Sequence, residues 1–557
     1  MKRLSVLLAF LLLALSLSGQ AGESPGQAAI ASAHPAATVA GLETLAAGGN
    51  AFDAAVAVSA ALAVVEPYGS GLGGGGFFLL RQAGEPPTYR FLDARERAPL
   101  AAHPDMYRQQ PRHSLDGALA AAIPGLPAAL VELASRYGRL PLAASLSPAI
   151  RLAEDGFPVD RVYRERASWR LQALRSNPES ARLFLAEGEI PEEFSLLRQP
   201  QLAATLKRLA SQGHAGFYHG ELAEQLVAGV RAGGGRWSLR DLANYRVIER
   251  APLRVGLADD RWLISAPPPS AGGIALAQSL GMLQQLPWQQ AGPVQRTHYV
   301  VEVLRRAYRD RGRLGDPDFV DIPLGQLLDP AYLQRLARGI DAQRATPSSS
   351  LPPAPAWREG DHTTHFSLID SAGNAVAATL SINLPFGAAF TVPGTGVLLN
   401  DEMDDFAAQV QGANSYGLAG SAANAIAPGK RPLSSMSPSF IESPREFAVF
   451  GTPGGSRIPS MVLLAMLEYL QGRPLASWPA APRFHHQYLP DRIEYEPGTF
   501  SAAQVAELGA RGHTLEQLDR RYGNQQVLLW RKTGNHLEAA SDPRGIGLGA
   551  LQPEKVE

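Results

Sequence analysis

Two threonines, Thr363 and Thr364, head the run His365-Phe366-Ser367-Leu368-Ile369-Asp370 deep inside a 557-residue chain. Before them the sequence reads mainly as helices, and after them mainly as strands. That change of texture constrains the fold more than any other feature. Residues 363–369 and 375–382 alternate or are β-branched, and Asp370-Ser371-Ala372-Gly373-Asn374 between them is a good hairpin connection. A threonine hydroxyl is a weak nucleophile unless a base lies beside it. The base can be the residue's own α-amine, with a pKa near ~8, if the chain is cut just before it. The segment therefore suggests a chain that cleaves itself between His362 and Thr363 and then uses Thr363 as its catalyst. Strands are rich in threonine, so an ordinary strand with surface threonines is the competing reading of this segment alone.

Upstream, Gly48-Gly49-Asn50-Ala51-Phe52-Asp53 leads into residues 54–65, which are apolar on every face and stop at Pro67. A membrane-spanning helix needs about 20 such residues, so this one predicts a buried helix. Helical patterns recur at 128–137 and 298–311, and the Ser/Pro/Ala-rich stretch 342–355 reads as an exposed loop just ahead of the cut. Lys2 and Arg3 precede a mostly apolar run, 4–17, and then small residues, the pattern of a secretory signal peptide cleaved after Ser18 or Ala21. The expected division is a signal peptide at 1–21, a helix-rich large part at 22–362 and a nucleophile-bearing small part at 363–557. The expected location is periplasmic or secreted in a bacterium, with no stable membrane insertion once the signal is removed. The chain has no cysteine, which excludes disulfides, thiolate metal sites and a cysteine nucleophile. A net charge of −1 gives no reason to expect a nucleic-acid partner. Arg305, Arg306, Arg309, Arg311 and Arg313 read as a solvated helix face.

Residues 446–450 form a strand pattern that enters Gly451-Thr452-Pro453-Gly454-Gly455-Ser456-Arg457, and a helix pattern follows from Pro459. Backbone N–H groups of Gly454 and Gly455 near a helix start are suited to developing negative charge, which makes this a candidate oxyanion hole; a plain tight turn is the alternative. Gly69-Ser70-Gly71-Leu72-Gly73-Gly74 matches GxGxxG, but a helix precedes it and a strand follows, the reverse of a dinucleotide site. A tight backbone crossing beside the active site fits better. Gly22-Glu23-Ser24-Pro25-Gly26 matches GxSxG with no strand before it, so it is not a nucleophile elbow. His362 with His365, and His485 with His486, lack metal-site spacing, and no metal or other cofactor is expected. Arg95 has the planar fork that grips a carboxylate, Ser434 and Ser435 can add hydroxyl donors, and Glu402 and Asp405 can hold an ammonium.

Taken in order, these segments resemble the gamma-glutamyltransferase (gamma-glutamyltranspeptidase) family of N-terminal-nucleophile hydrolases, from about residue 28 to the C-terminus. The resemblance is carried by Gly49-Asn50-Ala51-Phe52-Asp53-Ala54-Ala55-Val56-Ala57, Ser70-Gly71-Leu72-Gly73-Gly74-Gly75-Gly76-Phe77, Pro267-Pro268-Pro269-Ser270-Ala271-Gly272-Gly273 and Gly315-Asp316-Pro317-Asp318-Phe319. Further along it is carried by Thr363-Thr364-His365-Phe366-Ser367, Pro432-Leu433-Ser434-Ser435-Met436-Ser437-Pro438, Gly454-Gly455-Ser456-Arg457 and Arg483-Phe484-His485-His486-Gln487. It implies an α+β fold, a four-layer αββα sandwich, made of two subunits cut from one precursor between His362 and Thr363. It also implies that Thr363 attacks the γ-carbonyl of glutathione or another γ-glutamyl donor, and that water or an amino acid or dipeptide resolves the ester.

By resemblance Arg95, Ser434 and Ser435 match positions that bind the α-carboxylate, and Asn383, Glu402 and Asp405 match those around the α-amine. Gly454 and Gly455 match the oxyanion hole, and Tyr416 matches an aromatic on a lid loop. Two departures stand out. Ser381 replaces a common threonine while keeping a hydroxyl for the nucleophile, and Leu384-Pro385 follows Asn383 where polar residues are frequent. The nearest rival is a glutaryl or cephalosporin-type amide acylase on the same scaffold, whose ligand lacks the α-amine that Glu402 and Asp405 suit. A binding protein that captures γ-glutamyl peptides without chemistry is a second rival; it predicts one uncut chain.

Overall fold

Alternation along the strand Thr364–Ile369 sends Phe366 and Leu368 into one hydrophobic core and Ile369 into another. Its neighbours divide the same way. In the strand Ala375–Ser381, Val376, Ala378 and Leu380 face the first core and Ala375 and Ala377 the second, and in Gly75–Gln82, Phe78 and Leu80 oppose Phe77 and Leu79. A sheet apolar on both faces must be covered on both. The computed structural model, which describes residues 24–354, 362–407 and 421–553, covers it with helices on one side and a second sheet on the other. The expected signal peptide (1–21) and lid residue Tyr416 lie outside the described residues.

The first sheet has seven strands, in the spatial order Leu548–Leu551, Ala29–Ser32, Thr364–Ile369, Ala375–Ser381, Gly75–Gln82, Thr88–Ala94 and Ile248–Arg250. The second has six, in the order His536–Ser541, Gln526–Arg531, Glu446–Phe450, Ser439–Glu442, Trp262–Ser265 and Leu253–Gly256. All their pairings are antiparallel. The helices Pro35–Ala46, Ala51–Val65 and Leu126–Arg136 pack on the first sheet, and Gly272–Leu283 and Ile458–Leu470 on the second. The architecture is the expected αββα sandwich. The helix-rich N-terminal part also supplies strands to both sheets, and the sequence reading foresaw only one of these, at 77–80. Most of the others are short: Trp262–Ser265, for instance, has four residues, too few for a period-two pattern to stand out, whereas Thr88–Ala94 has seven.

Where the sheets meet, small residues allow close approach. A Cβ on Gly451 would lie 2.0 Å from the His365 ring, so only glycine fits there. His365 is buried between the sheets. Its Nδ1 accepts from the Thr379 hydroxyl at 2.9 Å, and its Nε2 meets Ser367 Oγ at 3.2 Å, while Ser367 donates to the Gln526 carbonyl at 2.9 Å. Burial pulls the imidazole pKa down to about 3, so it is neutral in the fold.

The helix Ala51–Val65 is buried along its whole length, as its composition predicts. Asn50 caps it through a capping box, accepting from the Phe52 and Asp53 amides while Asp53 accepts from the Asn50 amide at 2.9 Å. The Ala51 amide donates to Asp370 at 2.9 Å, which ties the helix start to the hairpin turn after Thr364–Ile369. Among the described residues no helix is long and apolar enough to cross a membrane.

The glycine run after this helix is a backbone crossing, as expected. Cβ atoms on Gly73, Gly74 and Gly75 would come within 2.0, 2.2 and 2.3 Å of the carbonyl oxygens of Leu398, Ser381 and Ala94. The arginine face at 305–313 is a correction. Arg305, Arg306 and Arg311 are buried, because helix Pro293–Asp310 is covered by later chain segments and its charges are paired. Glu302 bonds Arg305 at 3.3 Å and Arg306 at 2.6 Å; Arg305 also pairs with Asp491, and Arg311 donates to the Ser435 hydroxyl at 2.7 Å.

Candidate active site

Thr363 sits immediately before its strand, half-buried, and lines a cavity. Glu66, Tyr68, Gly69, Arg166, Trp169, His362, Gly454, Arg457, Arg520 and Asn524 also line that cavity. The hydroxyl of Ser381, at the end of the adjacent strand, donates to the His362 carbonyl at 3.4 Å. It therefore lies on the acyl oxygen of the bond that precedes Thr363. The Asn383 amide in turn donates to Ser381 Oγ at 2.8 Å.

From there a polar chain runs to Arg95. Asn383, held at φ +73°, donates its side-chain amide to the Asp401 carbonyl at 3.1 Å, and the Leu384 amide donates to Asp401 Oδ1 at 2.9 Å. Glu402 follows in sequence and pairs with Arg95, as does Asp405. Arg95 also donates to the Pro432 and Leu433 carbonyls at 3.3 and 3.1 Å, directly before Ser434. Burial alone would weaken the Arg95 charge; the two carboxylates outweigh it and hold the guanidinium protonated. Ser434 Oγ accepts from the Met436 amide at 3.1 Å. The fold thus brings Arg95 onto Glu402 and Asp405, more than 300 residues later in the chain, and onto the backbone just before Ser434, while the Ser435 hydroxyl is taken by Arg311. In the continuous chain this cluster does not line the Thr363 cavity; the Ser381–Asn383–Asp401 chain links the two.

Gly454 and Gly455 lie between the strand Glu446–Phe450 and the helix Ile458–Leu470, with φ of +134° and +54°, conformations that L side chains rarely adopt. The loop is braced from behind. Tyr308 OH donates to the Ser456 carbonyl, Ser456 Oγ donates to Gln487 Oε1 at 2.8 Å, and Ser460 Oγ meets His485 Nδ1 at 2.6 Å. His485 Nε2 reaches Gln487 Oε1 at 2.9 Å. The motif 483–487 therefore props the loop and its helix. Burial lowers the His485 pKa to about 3, so its imidazole acts as a neutral brace.

Sequence reasoning missed several cavity residues. Arg166 and Arg520 stack on Trp169, 4.2 and 4.9 Å from its ring centroid, and the Trp169 ring lies 5.1 Å from that of His362. Burial, then Arg166, Arg520, Arg170 and Arg457, hold the His362 imidazole well below its usual pKa. These arginines come from distant segments with no shared motif. Glu66 had a readable signal, a lone acid that ends an apolar helix. Among the described residues, His298, Glu302 and His513 form a buried group with metal-type spacing. His298 Nδ1 and His513 Nε2 are hydrogen-bonded to each other at 2.8 Å and Glu302 is taken by two arginines, so these ligand atoms are already engaged, while His513 Nδ1 is buried without a partner among the described residues.

The family model described as gamma-glutamyltranspeptidase matches residues 37–551. The chain is 42% identical over 524 residues to a glutathione hydrolase proenzyme of Pseudomonas aeruginosa, covering 91% of this chain and 92% of that one. It is 39% identical over 532 residues to the Escherichia coli glutathione hydrolase proenzyme, covering 93% and 91%. Among solved structures, a cephalosporin acylase from Bacillus halodurans superposes with a TM-score of 0.83 at 27% identity, covering 94% of this chain and 95% of that one. A Helicobacter pylori gamma-glutamyltranspeptidase chain gives 0.55 at 35% identity, covering 57% and 93%.

Proposed function

Because the chain belongs to the gamma-glutamyltranspeptidase family, we propose that it cuts itself between His362 and Thr363 and hydrolyses or transfers the γ-glutamyl group of glutathione and related compounds. The observation that carries this reading is the setting of Thr363: it lines a cavity together with Gly454 of the glycine loop, with a second hydroxyl on the preceding carbonyl. In maturation the Thr363 hydroxyl adds to the His362 carbonyl carbon. Its proton passes to the Thr363 nitrogen as the C–N bond breaks, and water then cleaves the ester. The large subunit ends at His362, and the small one begins with a free threonine whose α-amine is the base for its own hydroxyl.

In turnover the hydroxyl attacks the γ-carbonyl of the donor, and the Gly454 and Gly455 amides receive the developing oxyanion. The leaving amine takes a proton and departs. Water or the amine of an amino acid or dipeptide then resolves the γ-glutamyl ester. A zwitterionic α-carbon suits the Arg95 cluster: its carboxylate takes the guanidinium, with Ser434 and Ser435 beside it, while its ammonium takes Glu402 and Asp405, near Asn383. The exchange leaves Arg95, Glu402 and Asp405 each paired. A glutaryl group offers only the anion and strands both carboxylates. This favours the γ-glutamyl reading over the acylase one, even though a cephalosporin acylase shares the fold. The export signal read at 1–21 assigns the enzyme to the periplasm or the medium.

The test is turnover of γ-glutamyl and glutaryl anilides side by side, with intact mass recorded after donor addition. A γ-glutamyl adduct on the small subunit and strong preference for the γ-glutamyl anilide are expected. Equal or better glutaryl turnover moves the assignment to the acylase.

A further inference from the structure

The helix Ala51–Val65 is fastened to the nucleophile's strand at both ends. At its start the Ala51 amide donates to Asp370, one residue past the strand; at its end Glu66 Oε2 accepts from the Thr364 hydroxyl at 2.6 Å. The lengths agree. Fifteen helical residues span about 22 Å at ~1.5 Å each, and the six steps from Thr364 to Asp370 span about 20 Å at ~3.3 Å each. The helix is a strut laid along the strand, and Glu66 is the fastening at the catalytic end.

Glu66 is built to stay in place. It is buried, its amide closes the helix on the Leu62 carbonyl at 2.8 Å, and its own carbonyl receives the Gly69 and Ser70 amides at 2.8 and 3.1 Å. Its second oxygen accepts from Tyr68 OH at 3.1 Å, and the Tyr68 ring is packed edge-on against Tyr163 and Phe386. Arg166, His34 and Asp160 are the other charged or titratable groups near it. Nothing in the proposed chemistry uses this carboxyl, yet it lines the Thr363 cavity.

We infer that Glu66 is a positioning residue for Thr363: by gripping the Thr364 hydroxyl it fixes the first peptide unit of the strand, and with it the orientation of the Thr363 hydroxyl and nitrogen. This rests on Thr363 being the nucleophile. One substitution on either side of the bond should have the same effect. Thr364→Val removes the donor at constant volume, and Glu66→Ala removes the acceptor. Each is expected to slow self-cleavage and to lower kcat about ten- to a hundredfold, the scale on which a misplaced reacting group is felt. KM for the γ-glutamyl donor should stay within about threefold, because the Arg95 cluster is untouched. Thr364→Ser and Glu66→Gln keep a donor and an acceptor and should retain most of the rate. The double variant Thr364→Val/Glu66→Ala should be no slower than the slower single, since both break one bond.

The experiment measures cleavage by gel and mass, and steady-state kinetics, for these five variants and for Thr363→Ala, using the full chain. If Glu66→Ala fails to fold, Thr364→Val and Thr364→Ser decide the matter. A kcat near wild type in Thr364→Val, or additive losses in the double variant, overturns the inference. Normal cleavage and turnover in Thr363→Ala instead overturns the nucleophile assignment beneath it.

Discussion

The Ser381 hydroxyl rests on the carbonyl oxygen of His362, 3.4 Å away, and so touches the bond before Thr363 from its acyl side. In the uncut chain this contact helps to polarise the carbonyl that the threonine must attack. A neutral hydrogen bond contributes about 0.5–1.5 kcal/mol net, and this one is long. Ser381→Ala is therefore expected to slow self-cleavage by about two- to tenfold, read as the fraction of intact chain against time after a pulse of synthesis. Unaltered cleavage would remove Ser381 from the account; Ser381→Thr should cleave normally.

Arg95 pairs with the buried carboxylates of Glu402 and Asp405, and Glu96, whose pKa burial raises to about 7, lies 3.5 Å from it. Arg95→Ala should cost about 2–5 kcal/mol in donor binding and about 3–5 kcal/mol in stability, since it leaves those charges without a cation. Steady-state kinetics and thermal unfolding check the two parts separately. An unchanged KM for a γ-glutamyl anilide would exclude Arg95 from the donor clamp.

Gly454 has φ +134°, and a Cβ there would come within 2.6 Å of Met461 Cε. Gly454→Ala is expected to tilt the loop amides away from the oxyanion. Losing one such donor elsewhere costs about 100- to 1,000-fold in kcat, so a fall between about 10- and 1,000-fold with little change in KM is the expected result. A kcat within a factor of about two of wild type would show that this loop does not carry the charge.

Stability should depend on pH through buried histidines. Burial holds His365, His485 and His513 near pKa 3 and His486 near 4, against about 6.5 unfolded. Their folded pKa values are depressed and the neutral form is the native one. Their contribution to stability is therefore complete above about pH 6.5 and is lost on acidification, as the unfolded chain takes protons that the fold refuses. Each contributes at most about 1.4 kcal/mol per pH unit. The Tm of the mature protein should drop steadily between pH 7 and 5; a flat or rising Tm over that range would refute the neutral assignment.

Much of the frame was legible in the sequence because long periodic segments declare themselves. The buried helix at 54–65, the hairpin at 363–382 and the strand–loop–helix at 446–470 all follow from spacing and turn chemistry. The clamp was legible only as separate polar residues. Its assembly depends on the Gly73–Gly75 crossing, where three carbonyls approach too closely for any Cβ. The buried arginines at 305, 306 and 311 misled because helical spacing states which residues share a face, not what later covers it. Residues 483–487 were visible as a motif, but bracing Ser456 and Ser460 is a tertiary relation that one-dimensional spacing cannot express.

The most direct measurement is N-terminal sequencing and intact mass of the purified mature protein, with Thr363→Ala alongside. The account predicts two fragments, the smaller with 195 residues beginning Thr363-Thr364-His365, and a Thr363→Ala chain that stays whole and inert. A wild-type polypeptide continuous through 363 that still turns over a γ-glutamyl donor, or a fragment starting at another residue, would contradict it.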